Sequence, residues 1–384
     1  MLDMRIGIDY TAAVRQGAGI GRYTRQLVHA LAELDTRNEY ILLMAGAGIQ
    51  KTELSLKAVA GRANMHTVGL PVSDRTLAIL WHRLRLPLWA ELFSGRLDIF
   101  HSPDFALPPV RRARTILTVH DLSFMRVPQC ADASLRSYLL QVVPASVRRA
   151  DVVLADSQCT RADVIELLGV DPGRIEVIYA GVESRFQRVR DAQVLNAMRD
   201  RYHLPARFAL GLGTLQPRKN FERLIEAYAQ IRPEAGEEFK LVIAGGMGWM
   251  YEGIFERVAD LGLQDAVCFP GYVADEDLPA LYTLADLFVF PSLYEGFGLP
   301  PLEAMACETP VVTSNVSSLP EVVGDAGLTV DPLDVVALAE AMQRVLDDAA
   351  LREELVQRGV AQARRFTWAR AAEKLLAVYG EVIQ

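Results

Sequence analysis

Short apolar runs alternate with helical stretches along almost the whole chain, in two successive series, and that alternation leaves few folds open. Runs of this kind read as strands buried on both faces, which is how a parallel sheet with crossover helices is built. In the first series they cover residues 5–9, 40–44, 99–101, 115–119, 152–155 and 175–178. From Tyr179-Ala180-Gly181-Val182 the chain turns polar and irregular until about Leu204-Pro205. A second series then runs through residues 208–211, 240–244, 267–269, 287–290 and 310–313. The spacing predicts an α/β protein of two Rossmann-like, doubly wound parallel-sheet domains facing each other across a cleft. A length of 384 residues agrees with two domains. Their expected extents are 1–184 and 185–367, followed by a stretch of helical periodicity, Trp368–Ile383, with no strand after it.

Composition narrows the partners. No stretch approaches the roughly 18–20 uninterrupted apolar residues of a membrane span. The start, Met1-Leu2-Asp3-Met4-Arg5-Ile6, runs almost at once into a strand, so no signal peptide is expected. Cys130, Cys159, Cys268 and Cys307 are scattered without a Cys-x-x-Cys pair, as reduced thiols of a cytoplasmic protein would be. The net charge of −8 argues against a nucleic-acid partner. Its distribution is uneven: +3 over residues 1–185 against −11 over the rest, which favours an anionic partner on the first half.

The run Tyr294-Glu295-Gly296-Phe297-Gly298-Leu299-Pro300-Pro301-Leu302-Glu303 follows the strand at 287–290 directly. Glycines that allow close backbone approach, then prolines at a helix start, make it strand, loop and helix N-terminus. Two carboxylates beside the free N–H groups of that helix start suit a ligand combining hydroxyls with phosphate, such as a sugar nucleotide. Gly211-Leu212-Gly213-Thr214-Leu215-Gln216-Pro217-Arg218-Lys219-Asn220 repeats the strand–loop–helix plan. Adjacent cations at that end oppose the helix dipole, so Arg218 and Lys219 read as groups that neutralise a diphosphate and stabilise it as it leaves. Ala244-Gly245-Gly246-Met247-Gly248 either covers the nucleotide or simply turns the chain.

In the first half, Gly17-Ala18-Gly19-Ile20-Gly21-Arg22-Tyr23 leads into a helix with apolar Leu27, Val28, Leu31 and Leu34. Its glycines either bring backbone N–H groups to a phosphate or form a surface loop. The spacing is not that of a dehydrogenase fingerprint, and the first glycine comes too long after the strand. His120, in Thr118-Val119-His120-Asp121, ends a strand and either points at a sugar hydroxyl or phosphate or is structural; His101 has a similar but weaker position. The histidines show no metal-ligand spacing, and Asp275-Glu276-Asp277 reads as the acidic first turn of a helix, so no metal is expected. The segment from Leu77 to Trp89 mixes Trp, Leu and Arg and either lies on a membrane surface or packs on the sheet, with Arg111-Arg112-Ala113-Arg114 favouring the membrane.

Together these segments resemble the retaining glycosyltransferases of family 4, which have the GT-B fold. The likeness covers nearly the whole chain, and it implies that 1–184 is the acceptor-binding domain and 185–367 the nucleotide-sugar-binding domain. It is strongest from Gly211 to Asp331, including Ser318-Leu319-Pro320-Glu321 and the two glutamates with seven residues between them, and weakest from Gly46 to Gly95. By that likeness Glu295 contacts the transferred sugar and Glu303 the ribose, while Lys219 and Arg218 hold the diphosphate. The loop Gly17, Gly19, Gly21 approaches the β-phosphate, and Gly245, Gly246, Phe297, Gly298 and Leu299 line the donor site. His120 contacts the sugar or phosphate from the first domain, and the last helix, 368–384, packs back on that domain. Many members have an arginine where this chain has Thr214, after Gly213; Arg218 takes over that charge.

The resemblance implies a hexosyltransferase that needs no cofactor and retains the anomeric configuration without a metal, the departing phosphate oxygen accepting the acceptor's proton. Gly-Ile-Gly-Arg-Tyr at 19–23 and Gly-Thr-Leu-Gln-Pro-Arg-Lys-Asn at 213–220 are similar to bacterial mannosyltransferases of surface-polysaccharide assembly. GDP-mannose is therefore the first donor expected, with UDP-glucose, UDP-N-acetylglucosamine or a deoxysugar nucleotide as alternatives. The expected acceptor is a saccharide or a lipid-linked oligosaccharide at the inner membrane face. An epimerase or phosphorylase of the same architecture and a non-catalytic sugar-nucleotide-binding subunit are the competing classes.

Overall fold

In the computed structural model, residues 4–17, 19–46, 59, 61–70, 72–73, 76–77, 79–84 and 86–384 are described. The chain divides into two units: Met1–Met125 with Ala133–Gly181 and Trp368–Gln384, and Val182–Thr367 with the short segment Arg126–Asp132.

The first unit is built on a seven-stranded, all-parallel sheet. Its strands are β1 (Arg5–Asp9), β2 (Glu39–Ala45), β3 (Met65–Leu70), β4 (Ile99–Ser102), β5 (Arg114–Val119), β6 (Val152–Ala155) and β7 (Ile175–Val177), in the order β3-β2-β1-β4-β5-β6-β7. The second unit has six parallel strands: β8 (Arg207–Leu212), β9 (Phe239–Ala244), β10 (Val267–Gly271), β11 (Leu287–Phe290), β12 (Val311–Ser314) and β13 (Leu328–Val330), ordered β10-β9-β8-β11-β12-β13. In both sheets the chain first winds to one side and then crosses to the other. The reversal falls between β1 and β4 and between β8 and β11, and at such a switch point the loops leaving neighbouring strands diverge and open a crevice at the strands' carboxyl ends.

Burial explains why the central strands were legible: Ile116, Leu117, Val153, Leu154, Leu287, Phe288 and Val289 are fully enclosed. The helices carry amphipathic faces. In Ile20–Leu34, Tyr23, Leu27, Val28 and Leu31 are buried; in Phe221–Ala235, Phe221, Leu224, Tyr228 and Ile231 join Leu241, Ile243 and Val289 in one core. Side-chain caps start several of them, among them Ser157 accepting from Thr160 N and Asp334 from Ala337 N. The final helix, Trp368–Ile383, buries Trp368, Leu375 and Tyr379 and packs against Ile20–Leu34 in the first unit.

Two strands escape sequence reasoning. Met65–Leu70 is an edge strand whose His66 and Thr67 face solvent, so it has no apolar run to betray it. Leu328–Val330 is three residues long, half-exposed, and exists through its pairing with β12. Within the Leu77–Trp89 segment, Ala78 and Arg85 lie outside the described residues; Ile79–Arg83 forms a π-helical turn, and Leu84 and Leu86 are exposed. Trp89 lies under the Arg111 guanidinium, 4.9 Å from its ring centre. Among the described residues no helix is long and apolar enough to cross a membrane.

Candidate active site

At the switch point of the second sheet, the loops after β8 and β11 are laced together. Leu293 N donates to Arg218 O at 2.9 Å, and the Asn220 side-chain amide donates to Pro291 O at 3.0 Å and Pro332 O at 2.7 Å. Asn220 itself is left-handed, φ 59°, a conformation that asparagine tolerates better than most residues. That kink ends the short turn Pro217–Lys219 and starts the helix Phe221–Ala235, which fixes the directions of Arg218 and Lys219.

Both cations converge on Glu295. Arg218 Nη1 lies 2.9 Å from Oε2, and Lys219 Nζ donates to Oε1 at 2.7 Å. Arg218 also donates to the Tyr294 carbonyl at 2.7 Å, and the Lys219 ammonium stands 4.5 Å from the centre of the Phe290 ring. The three charges are nearly enclosed, Lys219 and Glu295 each being 9% exposed. Burial raises the Glu295 carboxyl, but the charges of Arg218 and Lys219 outweigh it and hold the group at about 2. A carboxylate so placed stays ionised at neutral pH, so it can accept hydroxyl hydrogen bonds but has no proton to give.

The backbone around Glu295 is held by two serines. Ser317 Oγ accepts from Glu295 N at 3.0 Å, and Ser318 Oγ donates to Glu295 O at 2.9 Å while lying against the Phe297 carbonyl. Phe297 is buried edge-on to Phe366, at 5.7 Å between ring centres. Gly298, φ 123°, is the N-cap of the helix Leu299–Ala306, whose first turn carries Pro300 and Pro301 and no side-chain cap. Leu299 is half-buried, and Glu303, on the same helix, is 1% exposed and accepts from the Tyr282 hydroxyl at 3.0 Å.

Gly245 and Gly246 sit in the loop after β9, tied to the loop after β8: Gly213 N donates to Ala244 O and Leu215 N to Gly246 O, both at 2.9 Å. A Cβ on Gly245 would stand 1.9 Å from the Gly213 carbonyl oxygen, so the two loops approach as closely as they do because that side chain is missing. Around Gly246 there is open space. Asp277, the last residue of the acidic triplet, accepts from Arg201 Nη1 and the Tyr202 hydroxyl, each at 2.8 Å.

In the first unit, His120 follows β5 directly. Its Nδ1 is 2.7 Å from Asp156 Oδ2 and its Nε2 3.1 Å from the Pro103 carbonyl. Both partners accept, so the ring is satisfied as the doubly protonated cation. Burial opposes that charge, but the Asp156 carboxylate outweighs it, with Asp104 and Pro103 assisting, and the imidazole is pushed up to about 9. Tyr23 and Phe105 pack against it in T-shaped contacts, with ring centres at 4.8 and 5.6 Å. His101, one strand away, behaves oppositely. It lies between the Tyr379 hydroxyl, 2.8 Å, and Thr118 Oγ1, 3.0 Å, and burial followed by the nearby His120 pushes it down to about 3. One strand-end histidine is therefore charged and the other neutral.

The glycine loop divides as well. Gly17 and Gly19 are exposed, Gly19 with φ 59°, whereas Gly21 is buried in the first turn of Ile20–Leu34, where a Cβ would meet the Gln16 and Ala12 carbonyls at 2.2 and 2.6 Å. The Arg25 guanidinium donates to the carbonyls of Ala13, Gln16 and Gly17 at 2.6–2.7 Å and so holds this loop from below.

Asp156, Arg25, Asn220, Ser317 and Ser318 were not singled out from sequence. A signal for Asp156 existed: Val119 pairs with Ala155, so the residues that follow the two strands, His120 and Asp156, must be neighbours. The others depend on loop paths that no local pattern announces.

Comparisons with known proteins agree on the class. Residues 203–362 match the family model described as glycosyl transferases group 1, and residues 17–186 match that of glycosyltransferase family 4. The chain is 35% identical over 367 residues to O-antigen chain mannosyltransferase B of Escherichia coli, covering 94% of this chain and 95% of that one. It is also 35% identical over 276 residues to a serotype-specific mannosyltransferase of Escherichia coli, covering 71% of this chain but 34% of that much longer one. Among solved structures, sucrose-phosphate synthase from Thermosynechococcus elongatus superposes with a TM-score of 0.75 at 24% identity, over 99% of both chains, a likeness of fold.

Proposed function

The chain belongs to the family 4 glycosyltransferases of GT-B fold, and from that premise we propose that it transfers mannose from GDP-mannose, with retention and without a metal, to a saccharide or lipid-linked acceptor in polysaccharide biosynthesis. The observation that carries the donor site is the buried Arg218–Lys219–Glu295 cluster at the switch point of the second sheet. The full-length likeness to an O-antigen mannosyltransferase favours mannose and a surface-polysaccharide acceptor.

In this reading the two cations stabilise the nucleoside diphosphate as the glycosidic bond lengthens, a transition-state charge that fixed, desolvated donors meet without reorganising. Before the donor arrives, Glu295 serves as their counter-ion. Afterwards its oxygens accept from the hydroxyls of the transferred sugar, and the depressed acidity of the group keeps it an acceptor throughout. Its commitment to two cations makes it a poor nucleophile, so the acceptor hydroxyl attacks from the face the diphosphate leaves, and the departing phosphate oxygen takes its proton. Gly298 and Leu299 open the helix whose N–H groups face phosphate, and Glu303 holds the ribose. Gly245 and Gly246 line the nucleotide, Phe297 shapes the sugar pocket, and the loop Gly17, Gly19, Gly21 approaches the β-phosphate. His120, charged at neutral pH, donates to a sugar or phosphate oxygen. The protein works in the cytoplasm at the membrane surface.

A thermal-shift comparison of GDP-mannose, UDP-glucose, UDP-N-acetylglucosamine and NAD, in EDTA, tests this. A donor at 100 times its dissociation constant stabilises by about 2.7 kcal/mol. The expected outcome is a shift with GDP-mannose despite EDTA. A shift with a uridine sugar instead replaces the donor, and a shift with NAD alone overturns the transferase mechanism for this site.

A further inference from the structure

The backbone pairing of β11 with β12 ends at Phe290 and Thr313, and from there side chains continue it. Thr313 Oγ1 donates to Phe290 O and Ser314 Oγ to Ser292 O, each at 2.7 Å. In the loop after β12, Ser317 Oγ accepts from Glu295 N at 3.0 Å. Ser318 Oγ donates to Glu295 O at 2.9 Å and lies against the Phe297 carbonyl. Hydroxyls of residues 313–318 thus bond in sequence along residues 290–297, from the end of a core strand to the middle of the loop that carries Glu295. Thr313, Ser314 and Ser318 are fully buried.

A hydroxyl both donates and accepts, so Ser318 can meet carbonyls where its neighbour Ser317 meets an N–H. Ser317 does so from a left-handed backbone, φ 56°, a region that side chains disfavour and glycine enters freely. Non-glycine residues held there by their surroundings cluster at functional sites. The segment they bond has the opposite character. Gly296 lies within it and Gly298, φ 123°, next to it, and glycine has more backbone freedom to lose than any other residue.

We infer that Ser317 and Ser318, backed by Thr313 and Ser314, are positioning residues that set Glu295 for the transferred sugar and have no part in holding the diphosphate. The inference rests on the donor-site reading above and divides that site between two sets of groups. Arg218 and Lys219 reach the Glu295 carboxylate from the loop after β8, whereas the serines hold its main chain from the loop after β12. The cations therefore secure the charge, and the hydroxyls secure the point from which the side chain leaves the backbone. Accepting from sugar hydroxyls needs that origin fixed before the ligand arrives, because ordering a glycine-containing loop during binding would oppose it.

Two variants of the intact chain test this. Ser317→Gly keeps the left-handed backbone and deletes only the acceptor, so its melting temperature is expected to stay close to wild type. Ser317→Asn restores an acceptor in a residue that tolerates that conformation. In hydrogen exchange without ligand, the Glu295 amide is expected to exchange about tenfold faster in Ser317→Gly, the loss of one hydrogen bond. Residues 287–290 stay protected, and Ser317→Asn slows Glu295 again. By calorimetry, Ser317→Gly is expected to bind GDP within about twofold of wild type but GDP-mannose about tenfold more weakly, with Ser317→Asn recovering most of the difference. Unchanged Glu295 exchange, or an equal loss of GDP and GDP-mannose affinity, overturns the inference. If the wild type binds neither nucleotide, the GDP-mannose reading fails, whereas the hold on Glu295 stands or falls on the exchange rates alone.

Discussion

At the scale of single residues, protonation is the controlling variable. Glu295 is held at about 2 against its ordinary value near 4.5, so its share of stability is present above pH 4.5 and is lost as pH falls towards 2. Removing one partner of this cluster leaves buried charge uncompensated, which in comparable buried pairs costs about 3–5 kcal/mol. Lys219→Ala is expected to lower kcat by about 10²–10³, the cost of deleting one pre-aimed donor at a developing negative charge, and steady-state kinetics with GDP-mannose checks it. His120 works in the other direction. Its imidazole, raised from 6.5 to about 9, contributes stability that is complete below pH 6.5 and vanishes as pH rises through 9. The melting-temperature gap between wild type and His120→Gln is therefore expected to narrow from pH 6.5 to 9. A gap that stays constant over that range would show that the Asp156 contact does not hold the ring as a cation.

Among the elements, the loops that close each crevice depend on backbones approaching without side chains between them. Gly245 has φ 148°, and its Cβ would fall on the Gly213 carbonyl, which belongs to the loop carrying Lys219. Gly245→Ala is expected to destabilise by about 1–3 kcal/mol through overpacking, more once backbone strain adds, and to weaken nucleotide binding with it. Gly246→Ala, in open space, is expected to leave the melting temperature close to wild type. Calorimetric melts of the two variants separate them. The closing helix shows the same dependence on remote partners: Tyr379 bonds to His101 on β4, and Trp368 sets its ring edge-to-face on Tyr23 at 5.6 Å. Tyr379→Phe removes that hydroxyl and is expected to cost about 1 kcal/mol, the net value of one buried hydrogen bond.

For the whole molecule, one topology used twice gives two switch points with different chemistry. The second sheet's holds two cations around a carboxylate, and the first sheet's holds two carboxylates and aromatic rings. The nucleoside diphosphate is proposed to bind at the second of these, where the two cations stand. Hydrogen exchange with saturating GDP is expected to slow amides in residues 213–220, 245–248 and 291–303, and to leave the central strands β1, β4 and β5 unchanged. Protection confined to the first unit would contradict that placement.

The central strands and the two successive series could be read from the chain, because each rests on local pattern; Arg218, Lys219 and Glu295, singled out from their loops, converge in one buried cluster, and His120 stands at the end of β5. Buried parallel strands demand unbroken apolar runs, and loops at a helix start demand glycine, proline and unusual charge. Edge strand β3 could not be read, since a half-solvated strand has no such run, and β13 exists only through its neighbour. Local pattern therefore carried the fold class and the identity of the charged groups. Tertiary structure alone decided their ionisation: Asp156 makes His120 a cation, burial keeps His101 neutral, and two cations hold Glu295 ionised. These partners lie far along the chain and meet only through sheet order and loop path, and electrostatic shifts depend on distance and desolvation in space.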